Sequence, residues 1–376
     1  MSKKMNLTGK LHQQFVLDKI METDWEKGNS GPLVIELDPT AVCDLACPGC
    51  ISEDIISVGG SFSKDRLISL GEEFIDCGVR AVILIGGGEP LAHPKTGDFI
   101  SLMGENDINI GITTNGSFID KYINPISEYS NWTRVSVDAA TEETFSILRP
   151  TKGGKSKFSK IINNMRMLAE TKKGTLGFSY LIQTEADGPT VVSNIHEIYD
   201  AAVLAKDIGC DYFEVKPTYQ WRDGVDHALM KHDQKLMDEA KVQIAALAEL
   251  EDEKFRILKA ITLEYSLNGA DLEQKKEYRK CPSTHLRTTI TAKGVYICPY
   301  WRGKEHMRIG DLNEVKFSDM WNGSLRKEVM DRLDISVDCA SIHCLRHETN
   351  LTAIDIKNQM EDNAIISSIA EFDRFI

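Results

Sequence analysis

The chain has 376 residues, 42% of them hydrophobic, a formal net charge of −13 and nine cysteines. No apolar run approaches the roughly 20 residues that cross a bilayer, and the opening MSKKMNLTGKLHQQF lacks the apolar core of a secretory signal, so a cytoplasmic protein without a membrane role is expected. The acidic balance disfavours nucleic acid as a partner, and thiols in a reducing compartment read as metal or redox ligands rather than disulfides.

Residues 1–31 are expected to form an N-terminal extension. Residues 32–250 are expected to form the main domain, and from 32 to 217 short β-branched runs alternate with amphipathic stretches. Strands are expected at PLVIELDPT, AVILIGGG, INIGITTNG, TRVSVDAA, LGFSYLIQ and DYFEVKP, with helices such as SKDRLISLGEEFIDCG and SKIINNMRMLAETK between them. Such alternation implies parallel strands with helices outside. Six units are too few for an eight-fold barrel, so the expected class is α/β, a partial (β/α)6 TIM-like barrel. A long amphipathic helix, HDQKLMDEAKVQIAALAELEDE, follows, and there the strand–helix rhythm stops. Residues 251–350 read as a small C-terminal module with a hairpin in RTTITAKGVYICPYWRG, turning at Lys293-Gly294. Residues 351–376 read as a helical tail ending in an apolar close, Phe372 to Ile376.

In folds of this class the working site lies at the carboxyl ends of the strands. That edge comprises Asp38 to Cys50, Gly86 to Pro90, Thr113 to Gly116, Ser136 to Ala140, Gln183 to Asp187 and Lys216 to Tyr219. Directly after the first strand, CDLACPGC places Cys43, Cys47 and Cys50 within eight residues. A four-iron cluster wants a thiolate at each iron, and three ligands leave one iron open to a bound molecule. Pro48 and Gly49 allow the loop to wrap tightly around a compact group. From spacing alone, a zinc site, a thioredoxin-like CxxC that has no use for Cys43, and a structural loop with free thiols remain open.

The CxxxCxxC spacing at Cys43, Cys47 and Cys50 resembles the radical S-adenosylmethionine (SAM) superfamily. So do GGGEP at Gly86 to Pro90, TTNG at Thr113 to Gly116 and SVDA at the end of the fourth strand, over roughly residues 32 to 220. The resemblance implies a [4Fe–4S] enzyme that cleaves SAM reductively, takes hydrogen from its substrate with an adenosyl radical, and draws electrons from a donor such as flavodoxin or ferredoxin. Cys43, Cys47 and Cys50 would hold the cluster. Gly86, Gly87, Gly88, Glu89 and Pro90 would approach SAM, with Thr114, Asn115 and Ser136 lining its site. Arg149, in ILRPTKGG, would meet the SAM carboxylate, which guanidinium can bind bidentately. Asp138, Glu214 and Lys216 are the candidates for action on the substrate, and Gln183 is a candidate lining residue. Gly49 stands where the family usually has an aromatic residue; it keeps a backbone contact to adenine and gives up stacking area.

Cys281, Cys298, Cys339 and Cys344 can fully ligate a second four-iron cluster, or a zinc ion. Their pattern resembles the shortened SPASM ("twitch") extension of several radical SAM enzymes, which holds one auxiliary cluster. IGDLNEVKFSDMWNG resembles the segment between its cysteine pairs. Four residues separate Cys339 from Cys344 where the family usually has two, which leaves the ligation by Cys344 open. An auxiliary cluster suits a reaction that must shed an electron, such as oxidation of a ketyl radical to a ketone. Cys77 and Cys210 precede strands, at the barrel's lower end, and read as core cysteines; this disfavours thiol-dependent epimerisation.

About 31 residues precede the first strand, too few for a leader-peptide-binding domain. Over the whole chain, including LTGKLHQQFVLDKIMETDWEKG and the LRHETN segment, the sequence is similar to radical SAM proteins of sugar and polysaccharide pathways. The leading expectation is oxidation or rearrangement of a carbohydrate-like small molecule, a sugar or nucleotide-sugar. Peptide maturation is the second reading, and a non-catalytic iron–sulfur or zinc interaction protein the third.

Overall fold

A computed structural model describes residues 7–184, 193–222, 226–229, 233–270, 274–313 and 315–376. Of the expected edge at 183–187, residues 185–187 lie outside these. All six expected strands form: β1 (Val34–Asp38), β2 (Ala81–Leu84), β3 (Asn109–Thr114), β4 (Ser130–Ser136), β5 (Thr175–Leu181) and β6 (Tyr212–Lys216). They lie side by side in chain order, every neighbour pair parallel. The remaining strands are β7 (Tyr219–Arg222), β8 (Asp226–Leu229), β9 (Arg256–Lys259), β10 (Arg287–Thr291), β11 (Gly294–Tyr296) and β12 (Arg308–Gly310). β7 and β8 make a separate antiparallel pair.

The rhythm does not stop after the long helix, as the sequence suggested. That helix, Gln234–Ala246, leads to β9, which pairs in parallel with β6. β9 has four half-exposed or exposed residues and therefore no one-sided apolar pattern to announce it. At the other edge β10 pairs in parallel with β1, Val34 opposite Arg287, before turning back through the expected hairpin into β11 and β12. The result is an open, ten-stranded α/β sheet running from β12 to β9, with eight parallel strands forming a partial barrel.

Side chains alternate across this sheet because strand geometry has a period of two. Ile35, Leu37, Val82, Leu84, Ile110, Ile112, Phe178 and Phe213 point outward into the main core. Helices cover them by presenting apolar residues three and four apart. Lys64–Asp76 buries Leu67, Leu70 and Phe74, and starts at Ser63, whose hydroxyl caps the Arg66 N–H. Phe74 meets Phe99 edge-on at 6.5 Å. The opposite parity puts Glu36, Asp38, Arg134, Glu214 and Lys216 on the barrel's inner face.

A second apolar cluster closes the lower end. Leu11, Val16, Leu17 and Ile20 from the N-terminal segment pack with Phe375, Ile376 and Ile83, and the Phe375 ring lies 5.4 Å from Trp132. Gln13 fixes this tail: its Oε1 accepts from Phe372 N and Asp373 N, and its Nε2 donates to Asp373 O. The tail is helical only in its first part, a correction to the expected 351–376 helix. Its helix spans His347–Glu361 and ends at Asn363, which turns left-handed at φ 59°. Among the described residues, no helix is long and apolar enough to cross a membrane.

Candidate functional site

The cysteine loop leaves β1 at the barrel's upper rim. Asn115, at the end of β3, donates to Asp44 Oδ1 at 2.8 Å; Ser117 donates to Asp44 Oδ2 at 2.6 Å, and Lys157 pairs with the same carboxylate. Asp44 therefore pins the loop between Cys43 and Cys47, and it is held below the usual carboxylate range by these partners against burial. The sequence offered one signal for this residue, its place inside the cysteine run. Leu45 and Ala46 are further held by Thr151 and the Pro150 carbonyl. Gly49 adopts φ +66°, with nothing near the position of a Cβ, so the last turn before Cys50 is free to curl.

The three thiols are half-buried. Burial pushes Cys43 up to about 12, and Cys47 in the same direction. Such thiols are inert alone; a metal centre would have to displace their protons on binding. Among the described residues no three His, Cys, Asp or Glu side chains converge on one ion position. A four-iron cluster takes its thiolates at separate corners and does not need them to converge on one point.

Glu89 works behind this loop. It is 2% exposed; its carboxylate accepts from Leu91 N at 3.0 Å, Thr114 Oγ1 at 2.6 Å and Asn115 N at 2.7 Å. Burial pushes it up to about 7 despite those donors. Glu89 and Thr114 thus brace the ends of two strands together, and Asn115 reaches from that brace to the cysteine loop. A Cβ on Gly88 would fall 2.5 Å from the Ala41 carbonyl carbon, and Glu89 N donates to Val42 O at 2.8 Å. The glycine run therefore packs against the start of the cysteine loop. Pro90 begins a short helical turn.

Arg302, unremarked in the sequence, joins the second cysteine region to the first through Asp38, which opens the expected working edge. Arg302, four residues after Cys298, donates from Nη1 to Asp38 Oδ2 at 3.1 Å and from Nη2 to Ser52 Oγ at 2.6 Å. Ser52 Oγ donates on to Gly86 O at 3.4 Å. Burial raises Asp38 to about 6, opposed by Arg302 and the Gly87 N–H.

Asp138 sits just past β4 at φ 62°, a conformation aspartate tolerates better than most residues. Its Oδ1 accepts from Leu181 N at 2.8 Å, and its Oδ2 takes both Nε (2.8 Å) and Nη2 of Arg149. Against burial, Asp138 and then Cys47 hold Arg149 charged. Arg149 lines the cavity beside Cys47. Glu197 anchors the helix leading to it, accepting from Ala140 N (2.7 Å) and Thr141 Oγ1 (2.7 Å). Ser136 ends β4 opposite Ser179. Deeper in, Glu214 Oε2 takes Arg134 Nη1 at 3.1 Å and Lys216 Nζ at 3.2 Å. Glu214 is held below the usual range by Arg134 and Lys216 against burial, whereas burial and then Arg134 lower Lys216. Arg134 was legible as a charge at inward parity on β4. Gln183 lines the same cavity.

Cys281, Cys298, Cys339 and Cys344 come together from the segment before β10, the end of the hairpin and the loops ahead of the last helix. Each of Cys281, Cys339 and Cys344 acts electrostatically on Cys298, so the wide spacing at Cys344 does not take it out of the group. Asn350 Nδ2 donates to Cys281 Sγ at 3.2 Å. Burial raises Cys281 to about 12 and Cys339 to about 11. Both cysteine sets border one cavity of about 2690 Å³, which also reaches Arg149, Lys216, Tyr300 and Arg302. Cys77 and Cys210 stand apart, each at the end of a helix ahead of β2 and β6; Cys210 is 5% exposed.

Residues 37–191 match the family model described as the radical SAM superfamily. Over 131 residues the chain is 30% identical to a probable GTP 3′,8-cyclase of Archaeoglobus fulgidus, covering 35% of this chain and 43% of the relative. Over 195 residues it is 23% identical to the antilisterial bacteriocin subtilosin biosynthesis protein AlbA of Bacillus subtilis, covering 51% and 40%. The chain thus spans less than half the length of these curated relatives. Its fold is similar to that of Streptococcus suis SuiB, solved with the precursor peptide SuiA, at TM-score 0.59 and 14% identity over 85% of this chain and 71% of that one.

Proposed function

From the match of residues 37–191 to the radical SAM superfamily, we propose that the chain is a radical SAM enzyme, with a [4Fe–4S] cluster and SAM as its cofactors, that abstracts hydrogen from a polar small molecule held between two cysteine-lined sites. Cluster and SAM, when bound, supply a carbon-centred radical able to take a hydrogen atom. Cys43, Cys47 and Cys50 hold the cluster on a loop fixed by Asp44 and Asn115. Gly86 to Pro90, Thr114, Asn115 and Ser136 shape the SAM site. Arg149, oriented by Asp138, is the cation placed for the SAM carboxylate. Cys281, Cys298, Cys339 and Cys344 hold an auxiliary cluster, which suits a reaction that sheds an electron.

Of the three candidates for substrate chemistry, Lys216 is the one whose pKa is lowered, by burial first and Arg134 next, against the opposing pull of Glu214 at 3.2 Å. Glu214 stays ionised and positions Lys216 and Arg134. Asp138 acts through Arg149. The observation that carries this reading is the single cavity bordered by both cysteine sets and Lys216. The charged and hydroxyl groups among its lining, such as Arg149, Glu214, Lys216 and Tyr300, suit a carbohydrate-like substrate whose carbinol carbon would give up a hydrogen atom, whose hydroxyl would give up a proton, and whose remaining electron an auxiliary cluster would take. Peptide maturation is the second reading, favoured by the similarity to AlbA, a bacteriocin biosynthesis protein, and to SuiB, solved with its precursor peptide.

The test is anaerobic. Reconstituted protein is assayed for iron, sulfide and, with SAM and dithionite, 5′-deoxyadenosine. Cys43→Ala, Cys47→Ala or Cys50→Ala should abolish cleavage, and Cys281→Ala with Cys298→Ala should remove about half the iron, as expected for two clusters of equal size. Cleavage retained without the first three thiols would sink the assignment.

A further inference from the structure

Asn350, the last residue of the LRHETN segment, is 1% exposed, and its amide uses its full hydrogen-bonding capacity. Its Oδ1 accepts from Ser283 N at 3.0 Å and from Ser283 Oγ at 2.7 Å. Its Nδ2 donates to the Tyr278 hydroxyl at 3.1 Å and to Cys281 Sγ at 3.2 Å. The two ends of this amide cannot be exchanged. Ser283 N can only donate, so the oxygen must face it and the nitrogen must face the sulfur. The Tyr278 hydroxyl also meets His347 Nδ1 at 3.3 Å, and its ring stacks on that imidazole at 5.7 Å. His347 and Asn350 lie one turn apart at the start of the helix His347–Glu361. The LRHETN segment thus fastens the last helix to the stretch 278–283 that carries Cys281. A neutral thiol is a weak acceptor for a buried N–H, whereas a metal-bound thiolate is anionic and a much better one. At the first cysteine set the corresponding amide is spent elsewhere: Asn115 donates to Asp44 Oδ1 at 2.8 Å and stands 4.0 Å from Cys43 Sγ.

We propose that Asn350 raises the reduction potential of the auxiliary cluster held by Cys281, Cys298, Cys339 and Cys344, through the N–H that it aims at Cys281 Sγ. This rests on the function proposed above, which puts a cluster at those thiols and gives it an electron to accept. Reduction adds negative charge to a cluster and its sulfurs, so a fixed donor on one sulfur stabilises the reduced form more than the oxidised one. One electron passes from the substrate radical to the oxidised cluster as the hydroxyl proton leaves, and a higher potential favours that transfer. Ser283 and Tyr278 hold the amide in place beforehand, so it need not turn when the electron arrives. Asn350 is then a positioning residue, acting through Cys281.

The test is an anaerobic redox titration of the reconstituted full chain, followed by electron paramagnetic resonance. The signal lost with Cys281→Ala and Cys298→Ala reports the auxiliary cluster, and the one lost with Cys43→Ala reports the first. Asn350→Asp removes the N–H but keeps an acceptor for Ser283, and Asn350→Ala removes both. Each should shift the one-electron equilibrium of the auxiliary cluster at least about tenfold against reduction, about 59 mV lower in potential, with the first cluster unmoved. Tyr278→Phe loosens the same packing and leaves the N–H on the sulfur, so both potentials should stay in place. An auxiliary potential unchanged in both Asn350 variants, or lowered equally by Tyr278→Phe, overturns the proposal. If the Asn350 variants do not fold, wild type isotopically labelled at the asparagine side-chain nitrogen decides. A hyperfine coupling from that nitrogen on the auxiliary signal is expected, and its absence overturns the proposal. Zinc in place of iron at the four thiols overturns it as well. SAM cleavage by the wild-type preparation is read in parallel. Cleavage without an auxiliary signal overturns this inference alone. The expected potential shift in a preparation that does not cleave SAM overturns the radical function and leaves the role of Asn350 standing.

Discussion

Replacing Arg302 with leucine takes the cation away from Asp38, a carboxylate that is 2% exposed and keeps only the Gly87 N–H as a strong donor. Breaking a buried pair from one side costs about 3–5 kcal/mol when the remaining charge cannot escape. Here it can escape by taking up a proton, so the loss should depend on pH. With a folded value of about 6 against 3.8 for the free side chain, wild-type Asp38 weakens the fold by only about 0.4 kcal/mol more at pH 8 than at pH 6. Both values lie above the unfolded pKa, and above the folded one the proton is already off in both states, so the slope has faded. Without Arg302 the folded value rises further, the folded state holds its proton longer than the unfolded state, and stability keeps falling across this window. The limit is roughly 2–3 kcal/mol lost between pH 6 and 8. Anaerobic urea unfolding followed by tryptophan fluorescence, at both pH values, measures this. Asp38→Asn in the same background should flatten the dependence. Equal slopes for wild type and Arg302→Leu would refute the assignment of Arg302 as the charge partner of Asp38.

Three further outcomes follow from the same geometry. His285 is fully buried; burial and then Arg326 lower it to about 3, so the unfolded chain takes up its proton first as pH falls below 6.5. About 2 kcal/mol of stability should vanish by pH 5, and a titration showing no such loss in wild type relative to His285→Gln would contradict it. Glu89→Ala orphans Leu91 N, Thr114 Oγ1 and Asn115 N, each at about 1–3 kcal/mol. Thermal unfolding should register the loss, and equilibrium dialysis with SAM should show weaker binding. Phe375→Ala opens a hole beneath Trp132 and should cost about 3 kcal/mol by urea unfolding; a shift below a third of that would mean the tail is not seated there.

Six of the barrel's eight parallel strands were legible because each carries a run of β-branched or aromatic residues between breakers, and the cysteine loop because its spacing is dense. β9 was not, since RILK has neither alternation nor burial to mark it. The pairing of β1 with β10 was hidden by distance along the chain: nothing local to either strand names its partner. Glu89 was read as a residue facing SAM, yet its carboxylate turns back to brace Thr114 and Asn115. A motif identifies which residues matter without fixing which way each points. Arg302 was missed for a related reason. It sits in an irregular loop after a cysteine, where side-chain direction has no period to reveal it.

The parallel pairing of Val34 with Arg287 also has a consequence in time. As the chain emerges from the ribosome, β1 is made before the other strands of the sheet, yet one of its edges has no partner until β10 appears. At about 5–20 residues per second that wait lasts on the order of 12–50 s. During it β1 presents unpaired backbone and β-branched side chains, the features that recruit foreign strands. Parallel pairing over so long a separation is also slow to close once both strands exist. Expression of residues 1–250 alone leaves that edge permanently open, and the fragment should aggregate where the full chain stays in solution.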